Sequence, residues 1–298
     1  MPGNRDQRNR AESGRCTRTL RLDCQSPPSS ASVLSTTRRA SNIYFTHVVG
    51  GSGKQLLAWL TAVGRGNEGF RRAEAVGQCM DVGVISDIHG NRVAFEAVLD
   101  DMPDVDAYVC AGDVVGYGPW PGECVEMVRD LDAPTVMGNH DRAVAKATGF
   151  AFNSMASAGV AYAHDHCTDE QIDWLDSLPI VRREFDDRVK VVHGHPDDPD
   201  RYTYPAMFDR DLLGDEDVLI MGHTHVQASK VYDEGIVMNP GSVGQPRDGD
   251  PEAAYAVLHL DSMTVDDHRI AYDIDAVEAA VAEAGLPEQI GSRLHQGR

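Results

Sequence analysis

Five short apolar runs in this 298-residue chain each stop at a cluster of Asp, Asn or His, and that repeated pattern limits the possible folds more than any other feature. Val82, Val84 and Ile85 run into Asp87 and His89. Residues 107–111 run into Gly112 and Asp113, and residues 134–137 into Gly138, Asn139, His140 and Asp141. Residues 188–192 then lead into His193, and 218–221 into Gly222, His223, Thr224 and His225. Side chains leaving the carboxyl ends of neighbouring strands are the ones an α/β sheet gathers at a ligand site.

Helical patterns separate the earlier runs. Residues 92–102 place Ala94, Val98 and Met102 on one face, and further helices are expected over 123–131, 154–166 and 169–177. A rigid loop, Gly116 to Gly122, precedes the second of these. After Pro179 the periodicity turns mainly to strands, with 236–238, 255–260 and 263–272 added and a last helix over 275–284. Alternation of β and α followed by strands predicts an α/β (α+β) fold, two packed sheets with helices outside.

Residues 1–79 read differently. They hold 12 of the 27 Lys+Arg but only 5 of the 47 Asp+Glu, which leaves 15 basic against 42 acidic residues for the remainder. The first forty are rich in Arg, Ser, Thr and Pro, a composition that predicts disorder. A strand over 43–49 and a short helix over 55–63 are expected after them. Gly50 to Lys54 does not make a phosphate-binding loop, because Val48 stands where that motif needs Gly and Gln55 where it needs Ser or Thr. Met80 stands directly before the first strand. We expect it to be the biological start, with 1–79 as upstream sequence and 80–298 as the domain; a genuine basic tail is the rival reading.

A strongly acidic, Lys-poor surface argues against a stable nucleic-acid partner and suits a cytosol of very high salt, where repulsion is screened. No run of about 18 apolar residues and no leader-type apolar segment is found, so a cytoplasmic protein with no membrane partner is expected. The six cysteines show no C-x-x-C and no regular spacing, which speaks against a disulfide framework or zinc knuckle.

Carboxylate, imidazole and amide oxygen are ligands for Mn, Fe, Zn, Co or Ni. Seven such groups exceed one tetrahedral site and suit two adjacent cations, which at about 3.5–4 Å apart clamp a phosphate and bring a shared water's pKa near neutral. An aspartate between them can bridge, one oxygen to each. Taken singly, Asp113 reads as well as a turn former and Asn139 as a left-handed turn residue. Five clusters in a consistent order do not.

In that order, D-x-H, G-D, G-N-H-D, H and G-H-x-H resemble the calcineurin-like metallophosphoesterase family over residues 80 to about 272. GYGP, GHTH and NPGSVGQPR resemble its small archaeal and bacterial phosphodiesterase-like branch. The resemblance implies a two-sheet β sandwich flanked by helices. It implies two divalent metal ions, manganese first, with iron, zinc, nickel or cobalt as alternatives. Asp87, His89 and His225 would hold the first, Asn139, His193 and His223 the second, and Asp113 would bridge. His140 would stabilise the transition state and protonate the leaving oxygen, with Asp141 orienting it. The implied reaction is in-line attack of a metal-bridging hydroxide on a small phosphodiester or nucleotide substrate.

Departures from the family bear on substrate. Its protein Ser/Thr phosphatase branch carries arginines after G-D and just before G-N-H, where this chain has Val114, Val115, Gly116 and Met137. A protein phosphatase is thereby disfavoured, and it stands with a dinucleoside polyphosphate hydrolase as an alternative. A silent protein-binding scaffold is disfavoured too, because the seven ligand positions and His140 are all present. Phosphate contacts are expected from Arg247 or Arg142, and Tyr117 and Trp120 are candidates for the pocket mouth.

Overall fold

A computed structural model of the chain describes residues 80–148 and 153–298. The strand and helix expected over 43–49 and 55–63 lie outside them. In chain order the elements are β1 (Asp81–Ile85), α1 (Arg92–Asp101), β2 (Ala107–Cys110), α2 (Pro121–Asp130), α3 (Asn139–Ala145), α4 (Ser154–His166) and α5 (Asp169–Ser177). There follow β3 (Val181–Glu184), β4 (Val189–Val192), β5 (Val218–Ile220), β6 (Ala228–Val231), β7 (Ile236–Asn239), β8 (Ala253–His259), β9 (Thr264–Ile270), α6 (Ile274–Glu283) and α7 (Gln289–Ser292).

These strands form two sheets, ordered β2-β1-β8-β9 and β3-β4-β5-β7-β6. The pairs β1–β2, β4–β5 and β5–β7 are parallel, so the strands that end in Asp and His clusters point their carboxyl ends the same way within each sheet. The expected two-sheet architecture is borne out.

Period-two alternation explains the layering. Val82, Val84 and Val109 face the second sheet and pack against its Val191, Val218 and Ile220 in a shared core. Ile85, Cys110, Tyr255 and Val257 face the other way, where Phe95, Val98, Val125 and Val128 of α1 and α2 cover them. Each fully buried Val, Ile or Phe contributes about 1.5–3 kcal/mol. A further cluster joins Val277 and Val281 of α6, Ile290 of α7 and Leu294 to Tyr117 and Ala156. That contact brings the C-terminal helices beside the ends of β1 and β2.

One expected strand is revised. Residues 134–137 make only an isolated bridge, Thr135 to Cys110. Pro134 has no N–H to give a ladder, and the Met137 N–H turns away to the Pro179 carbonyl at 2.7 Å. The edge strands β3 and β6 were not singled out from the sequence; both are short, with half-exposed or exposed residues.

Candidate metal centre and substrate cavity

The ends of the strands are tied together by their own backbones. The Asp87 N–H reaches the Gly112 carbonyl at 2.9 Å, the His89 N–H the Asp113 carbonyl at 2.9 Å, and the Gly222 N–H the His193 carbonyl at 2.8 Å. Ser242 Oγ donates to the Asp87 carbonyl at 2.7 Å. The tight loops this demands show in the dihedrals. Asp87, His89, Asp113, His223 and His225 have φ of 52°, 51°, 55°, 68° and 58°. Left-handed backbone costs an L-residue roughly 1–2 kcal/mol, so strain is concentrated at the chemically richest residues of the chain. Close approach matters as well. A Cβ on Gly222 would lie 2.2 Å from Ser86 Oγ and 2.9 Å from Asp87 Oδ2, and one on Gly138 would lie 2.0 Å from Asp113 Oδ1.

Four histidines share one orientation rule. His89 Nδ1 faces the Val115 carbonyl at 3.2 Å, His193 Nδ1 the Ala111 carbonyl at 2.8 Å, and His225 Nδ1 the Gln245 carbonyl at 2.6 Å. His223 turns its ring the other way, with Nε2 at 3.1 Å from the Asp200 carbonyl. A carbonyl only accepts, so each of these nitrogens carries a proton, and in the neutral ring the opposite nitrogen keeps a lone pair. In three of the rings that nitrogen is Nε2, and these converge on carboxylate oxygens. His225 Nε2 lies 3.2 Å from Asp87 Oδ1, His193 Nε2 3.3 Å from Asp113 Oδ2, and His89 Nε2 within 3.8 Å of both aspartates. Asn139 Oδ1 joins at 3.1 Å from His193 Nε2.

Such a donor set fits cations. His89 Nε2 and His225 Nε2 face each other at 3.2 Å with their protons already placed on Nδ1. Asp87 Oδ1 is buried without a hydrogen-bond partner. Opposed lone pairs and an orphaned carboxylate oxygen are what a bound cation relieves. The potential ligand atoms fall into the groups Asp87–His89–His225 and Asp113–His193–His223, each with its atoms within 4.8 Å of one another.

Two placements bear on the expected roles. Asp113 turns Oδ2 toward both histidine groups, while its Oδ1 accepts the His140 N–H at 2.8 Å. Asp141 accepts the backbone N–H groups of Asp113, Val115 and Gly138 at 2.8, 3.1 and 3.0 Å, bracing the turns that carry Asp113 and His140.

The charge pattern follows from burial and neighbours. Burial pushes Asp87 and Asp113 upward, but His225 beside the first and His193 beside the second prevail and hold both carboxyls well below the usual range. Burial lowers His140 and His223 to about 4, and it lowers His89 and His225 too. His193 is also disfavoured as a cation by burial, yet Asp113 outweighs this and lifts it to about 10. Asp141 rises to about 7 through burial and the charge of Asp113.

Above these groups lies a cavity of about 160 Å³, lined among others by Asp113, Asn139, His140, His223 and His225. Tyr117 and Arg247, both expected there, line it. The Tyr117 ring meets His89 edge-on at 4.9 Å, and Arg247 Nη2 donates to its hydroxyl at 3.4 Å. Trp120 is not among the lining residues; it lies under Arg92, 5.1 Å from guanidinium carbon to ring centre. Arg142 instead pairs with Asp200 at 2.5 Å. Tyr202 and Arg293 line the cavity and were missed. Tyr202 stacks on His223 with centroids 4.0 Å apart. Its signal was faint, a Tyr-x-Tyr in a polar loop, and Arg293 had none.

A family model for the calcineurin-like phosphoesterase superfamily domain matches residues 80–263. The uncharacterized protein MJ0912 of Methanocaldococcus jannaschii is 35% identical over 239 residues, covering 73% of this chain and 98% of that protein. Phosphodiesterase YfcE of Escherichia coli is 30% identical over 204 residues, covering 66% of this chain and 95% of YfcE. Among solved structures, a metallophosphoesterase from Sphaerobacter thermophilus is 38% identical with a TM-score of 0.65, covering 74% of this chain and 100% of that one.

Proposed function

This chain belongs to the calcineurin-like phosphoesterase superfamily and is a metal-dependent phosphoester hydrolase by that membership; on that footing we propose that its substrates are phosphodiesters of nucleotide type and that residues 80–298 do the work. The observation that carries the reading is the shared orientation of His89, His193, His223 and His225, each with one ring nitrogen on a main-chain carbonyl and the other left free to bind a metal.

Asp87, His89 and His225 would hold one divalent cation and Asn139, His193 and His223 a second, with Asp113 shared between the two groups. Bound there, the cations supply Lewis acidity and a water that ionises near neutral pH. His140 is uncharged before substrate arrives, with its value lowered to about 4 by burial. A phosphate anion against the ring raises its proton affinity, so His140 takes up a proton with the substrate and hands it to the leaving oxygen. Asp141 keeps the backbone under both residues in place. Arg247, at the cavity wall, steadies the non-bridging phosphate oxygens.

A diester is favoured because the positions flanking Asp113 and Gly138 carry no cation. Val114, Val115 and Met137 are buried and apolar, so no guanidinium clamps a dianion there. The test is hydrolysis of bis-p-nitrophenyl phosphate against p-nitrophenyl phosphate by the full chain with Mn²⁺. Metal-dependent diester cleavage that falls about 10²–10⁴-fold in His140→Ala supports the reading. Turnover of the monoester alone, or of neither ester with metal bound, sinks it.

A further inference from the structure

Among the described residues, six large apolar or aromatic side chains are exposed. Ile180, Val181 and Val231 lie on or beside β3 and β6, the edge strands of the second sheet. The other three, Tyr202, Tyr204 and Met207, share one loop between β4 and β5. Tyr202 and Tyr204 are 43% and 48% exposed, whereas Thr203 between them is buried, the period-two pattern of an extended segment. The two rings are nearly parallel, 14° apart with centroids at 5.9 Å. Tyr202 is also within 17° of the plane of the His223 ring, and it lines the cavity above the candidate metal ligands. Three nearly parallel rings thus lead from the candidate metal centre to the surface. The backbone beneath them is anchored on both sides. The Asp200 carbonyl accepts from His223 Nε2 at 3.1 Å, and the Asp200 carboxylate pairs with Arg142. Past Tyr204, the Met207 N–H returns to the Tyr204 carbonyl at 2.7 Å, and the Tyr232 hydroxyl donates to the carbonyl of the buried Phe208 at 2.8 Å. Exposed apolar side chains scattered singly are ordinary, but parallel rings continuous with a cavity mark a ligand contact.

We propose that Tyr202 and Tyr204 form a stacking platform for the base of a nucleotide whose phosphate sits at the metal centre. This rests on the phosphodiester reading above and assigns the part of the substrate beyond the phosphate. Its contact with His223 puts Tyr202 one ring away from a group that would hold a metal, at 4.0 Å between centroids. A nucleotide joins its base to its phosphate through a single sugar, so a base held on these rings leaves its phosphate within reach of the buried donor set. Stacking also suits the charge of this chain. With 47 Asp+Glu against 27 Lys+Arg, the overall field does not draw in an anion, and a neutral ring face supplies affinity that charge does not. Every base has such a face, so the platform selects nucleotides as a class without reading their hydrogen-bonding edges. An aliphatic phosphodiester would leave both rings uncovered.

Calorimetric titration of the full chain, with Mn²⁺ kept in excess over ligand, reads the platform directly. AMP and ribose 5-phosphate share sugar and phosphate and differ by the base alone. AMP is expected to bind about tenfold or more tightly, the scale of one base stacked on an aromatic side chain. Tyr204→Ala should lower that ratio about threefold or more, and Tyr202→Ala should bring it close to one. Tyr204→Phe should keep it, because stacking needs the ring and not the hydroxyl. A ratio near one in the unaltered protein, or a ratio that neither alanine variant changes, overturns the platform. Equal weakening of both ligands by Tyr202→Ala, with the ratio untouched by Tyr204→Ala, overturns it as well and leaves Tyr202 as a brace for His223. Should Tyr202→Ala fail to fold, the ratio in Tyr204→Ala decides. Failure of aryl-phosphate hydrolysis with the ratio intact removes the esterase reading alone, whereas hydrolysis with a ratio near one removes the platform alone.

Discussion

The floor and the wall of the cavity are built in different ways. On the floor, Asp87, His89, Asp113 and His193 are at most 1% exposed, and main-chain groups set their orientation. Along the wall, Tyr202 is 43% exposed and Arg247 is half-buried, and side-chain contacts hold both. A carbonyl fixed in a sheet end cannot be repositioned cheaply, whereas a stacked Tyr or a forked Arg can turn. Groups that must hold metals to a few tenths of an ångström are therefore placed on rigid elements, and groups that meet variable parts of a substrate on loops and helix ends.

That contrast can be broken first by chelation. Removing metal should abolish hydrolysis and lower Tm by about 5–10 °C, given about 2.7 kcal/mol of linkage at 100-fold saturation and 2–4 °C per kcal/mol for a domain of this size. A Tm indifferent to chelator would mean that the floor is preformed without needing cations. Acid should then act on the metal-free floor. His140 and His223 stay neutral to about 4, and His89 and His225 are lowered as well, while the unfolded chain takes up protons near 6.5. The unfolded state therefore binds more protons, and stability falls as pH drops from about 6.5 toward 4. His193, raised to about 10, loses its contribution only as pH rises above 6.5, and Asp141, raised to about 7, opposes the trend as one group against four. Thermal melts of chelated protein at pH 6.5 and pH 5 measure the sign.

Gly222→Ala sharpens the comparison by forcing a methyl against Ser86 and Asp87. It should cost about 1–3 kcal/mol and weaken metal binding, seen together in melts with and without Mn²⁺. Asp141→Asn keeps the shape but sets an amide against three N–H donors, and a 10–100-fold loss of metal affinity or activity is expected. The smallest effect belongs to the wall. Tyr202→Ala removes a stacking contact of about 0.5–1.5 kcal/mol and should raise KM about 2–10-fold, more than it lowers kcat. A drop in kcat as large as that of Asp141→Asn would show that Tyr202 belongs functionally to the floor.

Most of the floor was legible because its information is local. An apolar run of period two followed by Asp-x-His or His-x-His places the ligands at a strand end whatever the strand pairs with, and all seven expected ligand positions come to one place. Asn139 and His140 were legible from the G-N-H-D cluster itself, which opens α3. Residues 134–137 misled because their composition is that of a strand while Pro134 removes a ladder donor. The contacts of Asp141 were not legible, because they come from main-chain amides of residues distant in sequence: its carboxylate folds back onto the N–H groups of Asp113 and Val115.

By itself, then, the sequence determined most of the order of strands and helices, β3 and β6 excepted, together with the identity of the candidate ligands and the family, because hydrophobic period and ligand type are properties of short segments. Only the tertiary structure decided which ring nitrogen of each histidine faces the centre, which oxygen of Asp113 is left to it, and that Tyr202 and Arg293 share its cavity. Those outcomes depend on carbonyls, amides and helices contributed from far along the chain, and no local pattern encodes the distance between two such segments once they are packed.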